Sequence, residues 1–184
     1  ISLAFNLLLV LLILFWGMST LSANSVPGEF LYPVKVLTER VKFVLTFNAE
    51  NRAELRLTFA EERLQELSEI YQKNGQVDTS LIKAMLEEAR LALDKTPVTP
   101  QKASLIFSKA SHLNATQKFY LSGIQPKVQG GIRRVVDEAI HTCNRRSEWM
   151  QQMMQRMMNR MPMNHMMRQR CPMMRGWNKN ENDP

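Results

Sequence analysis

The most unusual chemistry in this sequence is sulfur near the C-terminus. Eleven of the 13 methionines fall between Met150 and Met174. Met150, Met153, Met154, Met157, Met158 and Met161 recur at three- and four-residue spacing, which lines them along one face of a helix. Past Pro162, Met163, Met166 and Met167 stand beside His165, and Cys171, Met173 and Met174 follow. Thioethers, a thiolate and an imidazole together suit Cu(I) or Ag(I). Neighbours at i+3 and i+4 can reach a common ion. The candidate ligands are therefore Met163, His165, Met166, Met167 and Cys171, with Met157, Met158 and Met161 on the stripe before them. Thioethers do not titrate, so such a site would persist at low pH; the interleaved arginines oppose a cation.

Two other uses of the same residues stay open. A stripe at helical spacing is the ordinary signature of a core face, although methionine specifies packing poorly. Methionine-rich faces also adapt to varied hydrophobic partners. With Arg156 and Arg160 on the opposite side, such a helix could also lie on an anionic membrane surface.

Little else in the chain suggests chemistry. His112, His141 and His165 are far apart, and no nucleophile–base order includes them. Gly130-Gly131 stands alone rather than in a phosphate-cradling loop. The carboxylate pairs Glu61-Glu62, Glu87-Glu88 and Asp137-Glu138 read as solvated helix faces, not as an acid–base pair. No cofactor is implied beyond Cu(I), and the expectation is a protein that is not an enzyme. Nucleic acid is a poor partner, because the basic residues alternate with methionine and not with aromatics. Most of the formal charge of +7 is local: nine arginines between Arg133 and Arg175 face only Asp137, Glu138 and Glu148. The two cysteines, Cys143 and Cys171, make no disulfide framework, though in an oxidising compartment they could pair.

The elements that must position these residues are helical. In a chain of 184 residues, Leu, Glu, Arg, Gln, Ala and Met abound while Gly (7) and Pro (8) are few. Residues 1–23 carry no charge, and Leu7 to Trp16 is unbroken apolar sequence. This is either the hydrophobic core of a signal peptide or an anchor of the ~20 residues that cross a bilayer. After a short connector, Pro33 opens a helix whose stripe is Val34, Leu37, Val41, Val44 and Leu45. Asn48 caps a second helix, over 49–74, with the seam Ala53, Leu57, Ala60, Leu64, Leu67 and Tyr71; Glu61, Glu62, Arg63, Glu66 and Glu69 fall on its other faces. Asn74-Gly75 ends it. A third helix spans 79–94, with Ile82, Met85, Leu86, Ala89 and Leu93 inward. A fourth starts at Thr99-Pro100 and breaks at Gly123 and Pro126. A fifth begins near Pro126 along Val128, Ile132, Val135, Val136, Ala139 and Ile140. No stretch keeps the two-residue alternation of a strand.

The stretch from Val26 to Leu64 resembles a bacterial membrane-proximal family, domain of unknown function 5667. The likeness rests on Pro27, Gly28, Leu31, Tyr32, Pro33, Lys35, Glu39, Leu45, Thr46, Arg52, Ala53, Leu55, Leu57, Ala60, Arg63 and Leu64, and runs on more loosely to Leu93. Val26 and Glu29 depart mildly from that pattern. The resemblance implies a helical domain just outside a membrane and brings no activity. Leu113-Asn114-Ala115-Thr116-Gln117 is similar to the Leu-Thr-x-x-Gln signature of periplasmic stress adaptors and chaperones, with Asn114 in the place of Thr.

The expected protein is all-α: a transmembrane or signal helix over 1–23, an extracytoplasmic helical hairpin or small bundle over 24–122, a long helix over 123–161, and a methionine-rich, poorly ordered tail over 162–184. It belongs in the bacterial envelope, membrane-anchored or periplasmic. Its expected role is non-enzymatic, binding soft metal or sensing envelope stress. The alternative is an interaction module whose methionine stripe packs on the body, on a partner helix or on the membrane.

Overall fold

The computed structural model describes residues 5–6, 25–94 and 100–160. Among these residues it is all helix, with no strand. Five helices follow one another: α1 Tyr32–Leu45, α2 Ala49–Asn74, α3 Thr79–Asp94, α4 Pro100–Ile124 and, after a 3-10 turn Gln125–Lys127, α5 Gly130–Arg160. The apolar N-terminal run and the tail after Arg160 lie outside the described residues, so anchor, signal and the metal candidates Met161, Met163, His165, Met166, Met167 and Cys171 have no structural account. No helix among the described residues is long and apolar enough to cross a membrane.

Local signals set the ends of α2 and α3. Asn48 is extended and its side chain accepts from the Glu50 N–H, satisfying one of the free donors at the start of α2. Gly75 closes α2 in the left-handed conformation, φ 65°, and its N–H reaches the Tyr71 carbonyl. Asp78 accepts from the Ser80 N–H at 2.8 Å and so starts α3. The fifth helix departs from expectation. Gln125–Lys127 forms a 3-10 turn around Pro126, and α5 starts only at Gly130, whose φ of 60° suits glycine alone.

Helices α2 and α3 pack antiparallel, as do α4 and α5, and the two pairs enclose the core. That core falls into two clusters. One joins the first half of α2 (Ala53, Leu57, Ala60) to the end of α3, the start of α4 and Met150 of α5. The other joins Leu64 and Leu67 of α2 to Leu81, Ile82 and Met85, to Leu121 and Ile124, and to Val136, Ala139 and Cys143. The seams expected for α2 and α3 supply much of both.

Helix α1 overturns its expectation. Leu37, Val41, Val44 and Leu45 face outward, and Lys35 and Glu39 are the residues it buries. The physical reason lies on α2. Flanking the apolar seam, about 100° round the helix, α2 carries a second row, Arg52, Arg56, Phe59, Arg63 and Glu66, which presents charge to α1. A charged surface is matched by charge, and the apolar stripe of α1 is left pointing away.

Candidate functional site

Three arrangements combine reactive or ionisable side chains with a defined geometry. The first ties α1 to α2. Glu66 accepts from Lys35 Nζ at 2.7 Å and from Arg63 Nη1 at 2.5 Å, and Arg63 also bonds Glu39. Two cations and two carboxylates thus balance in a buried cluster. Farther along, the Arg52 and Arg56 guanidinium carbons lie 5.3 and 4.3 Å from the centre of the Phe43 ring. Burial pushes the carboxyls of Glu39 and Glu66 above the ordinary carboxylate range, against the pull of Arg63 and Lys35. Arg63 and Glu66, which the sequence placed only off the apolar seam of α2, are therefore buried ion-pair residues. The one signal for Arg63 was the family pattern, which includes Lys35, Glu39, Arg52 and Arg63; Glu66 had none. Each carboxylate of the cluster is ion-paired through one oxygen, while Glu39 Oε1 and Glu66 Oε2 are buried with no hydrogen-bond partner; with both cations engaged the cluster reads as a clasp and not as a reaction centre.

The second arrangement is a polar layer between the two core clusters. Asn114 and Gln117 of α4 meet Arg146 of α5, all three buried. Arg146 Nη1 donates to Asn114 Oδ1 at 3.2 Å and to Gln117 Oε1 at 3.1 Å, and Nη2 donates to the Leu86 carbonyl at 2.9 Å. Asn114 Nδ2 in turn donates to the Cys143 carbonyl and to Ser147 Oγ, both at 2.8 Å. No carboxylate among the described residues pairs with Arg146, and burial draws its pKa down. Leu113, Asn114 and Gln117 of the Leu-Asn-Ala-Thr-Gln stretch are all buried, so their spacing has a packing reason of its own. Nothing in the sequence marked Arg146, one of the nine arginines between Arg133 and Arg175.

Beside this layer a groove of about 470 Å³ opens between α3 and α5. Ile82, Leu86, Leu93, Val135, Ala139 and Trp149 give it apolar walls, and Arg146 also lines it. On its rim Arg90 holds Glu87 at 2.7 Å and Asp94 at 2.5 Å. Trp149 is fixed by an edge-to-face contact with Phe107, ring centres 5.6 Å apart.

The third is the methionine stripe, as far as it is described. Met150 is buried, with Ser111 Oγ 3.6 Å from its sulfur, and Met153, Met154 and Met157 pack on the first core cluster. Met158 faces solvent. Cys143 is a buried free thiol, its pKa raised by burial. Among the described residues no three His, Cys, Asp or Glu side chains gather where they could hold a metal ion.

Taken together, these features define an all-helical domain of two antiparallel pairs with a charged clasp for α1. Residues 24–119, just over half of the chain, match the family described as Domain of unknown function (DUF5667), and the chain belongs to that family. No curated protein and no solved structure matches it. The match covers α1 to α3 and most of α4 and stops short of α5. Asn114 and Gln117 thus lie within the family segment, and Arg146 and the methionine stripe from Met150 lie beyond it.

Proposed function

We propose that this chain is a non-enzymatic protein of the bacterial envelope, held at a membrane by its apolar N-terminal run, whose helical body rests on the bilayer through α1. The observation that carries this reading is the outward apolar face of α1. Leu37, Val41, Val44 and Leu45 are exposed, and beside them Phe30 and Phe47 are 91% and 84% exposed. A face of this kind on a soluble surface marks an interaction site. Arg40 and Lys42 are exposed on the same helix and suit anionic headgroups. The face begins a few residues after an uncharged run long enough to span a bilayer, so an anchored chain delivers α1 to the lipid surface. Within this reading the methionines divide. Up to Met157 they pack on the body; beyond it, Met163, His165, Met166, Met167 and Cys171 offer a soft-metal site for Cu(I) or Ag(I).

Spin labels on the full chain in anionic vesicles test the placement, with Cys143→Ala and Cys171→Ala removing native thiols. Labels at Leu37, Val41 and Val44 should be accessible to oxygen and shielded from a water-soluble nickel complex; a label at Lys118 should show the reverse. A label at Leu11 reports the anchor. Lipid contact at Leu11 with water contact at Val41 would overturn the role of α1, and water contact at both would overturn the anchorage as well.

A further inference from the structure

We infer that the groove between α3 and α5 binds a small anionic amphiphile, its head on Arg146 and its alkyl chain along the apolar walls. The argument starts from donors and acceptors. A guanidinium offers five N–H groups. Arg146 places three on the oxygens of Asn114, Gln117 and Leu86, which leaves two. All three acceptors are neutral, so the positive charge is buried without a counter-charge among the described residues. Nearby, Gln117 Nε2 is also buried with no acceptor. The polar layer is thus short of negative oxygen. A carboxylate supplies two oxygens in the planar geometry that matches a guanidinium fork.

The groove gives that head group somewhere to come from. Its volume of about 470 Å³ falls within the range of small-molecule sites. Its walls are aliphatic apart from the Trp149 ring, and no charge crosses it: the carboxylates of Glu87 and Asp94 are held on the rim by Arg90. Of the remaining lining charges, Lys83 and Arg145 outnumber Glu138 and favour an approaching anion. This site is independent of the membrane placement of α1, which lies against α2.

The test is Trp149 fluorescence in the full chain carrying Trp16→Phe and Trp177→Phe, titrated with 8-bromooctanoate and, in parallel, with neutral 8-bromooctanol. The carboxylate should quench saturably and bind about tenfold more tightly than the alcohol, the size expected of a charge-assisted hydrogen bond. Arg146→Gln should erase the difference between acid and alcohol while helicity by circular dichroism is kept. Because that variant could fail to fold, Thr142→Phe provides a second test: it adds bulk at the half-buried edge of the groove while keeping the Arg146 guanidinium, and should abolish saturable quenching. Equal, non-saturating quenching by both probes would mean partition into lipid only and would overturn the inference. Undiminished quenching in a folded Thr142→Phe chain would do the same.

Discussion

Glu39 and Glu66 sit where two opposing effects are both large. Arg63 and Lys35 favour the ionised carboxylates, burial disfavours them, and burial prevails: both pKa values stand above the ordinary 4.5. The consequence for stability follows from proton counting. Between 4.5 and the raised values the folded chain holds more protons than the unfolded chain, so stability falls as pH rises through that window. The contribution of these two groups is complete below about pH 4.5 and is lost as pH climbs past their folded pKa values. Urea midpoints of the native chain and of a Glu39→Gln, Glu66→Gln variant, compared at pH 4 and pH 7, should show the native chain losing stability relative to the variant on going to pH 7. The opposite trend would mean that the ion pairs outweigh burial. Arg63 moves the other way: despite burial, the adjoining Glu66 and Glu39 hold it above its usual value, so it stays charged throughout this range.

Among the elements, α2 has the clearest stop, and Gly75 sets it. Its φ of 65° lies in the region L side chains rarely adopt, yet a Cβ there would meet nothing within 4 Å. Gly75→Ala should therefore cost only the conformational penalty, about 1–2 kcal/mol, with no steric addition. A loss in the thermal unfolding free energy well beyond that would mean the turn between α2 and α3 packs more closely than its geometry implies. The cap, the glycine stop and the seam of α2 were all legible in the sequence because each is a local signal. Helix α1 was not legible. Its stripe of Leu37, Val41, Val44 and Leu45 is a true helical period, but periodicity reports that a face is apolar, not what covers it. The burial of Lys35 and Glu39 depends on Arg63 and Glu66, 24 or more residues away, and such pairing has no local signature. The start of α5 was misplaced for a related reason: Pro126 is compatible with a first helical turn, but the chain turns extended at Val128 and takes a positive φ at Gly130 before the helix starts.

Across the whole molecule, the polar layer of Asn114, Gln117 and Arg146 separates two apolar clusters that α2 to α5 all share. A buried polar layer of this kind fixes the register of α5 on α4, because sliding by one turn would strand Arg146 in an apolar cluster. The register in turn decides which methionines meet the body. With Cys143 in one cluster, Met150 falls into the other, Met153, Met154 and Met157 follow it, and Met158 turns to solvent. The stripe thus reads as packing as far as Met157, while the donor set beyond Met161 remains a candidate for soft metal. Changing Met150, Met153, Met154 and Met157 to Leu should cost less than about 1.5 kcal/mol per site, since the swap conserves volume and apolarity. The same variant should bind Cu(I), titrated against a competing chelator, as tightly as the native chain. Replacing Met163, Met166 and Met167 with Leu, His165 with Gln and Cys171 with Ser should instead abolish binding at unchanged stability. A Cu(I) affinity that falls with the four leucines would place the sulfur ligands on the body and contradict this division; no native binding at all would remove the metal role and leave the packing.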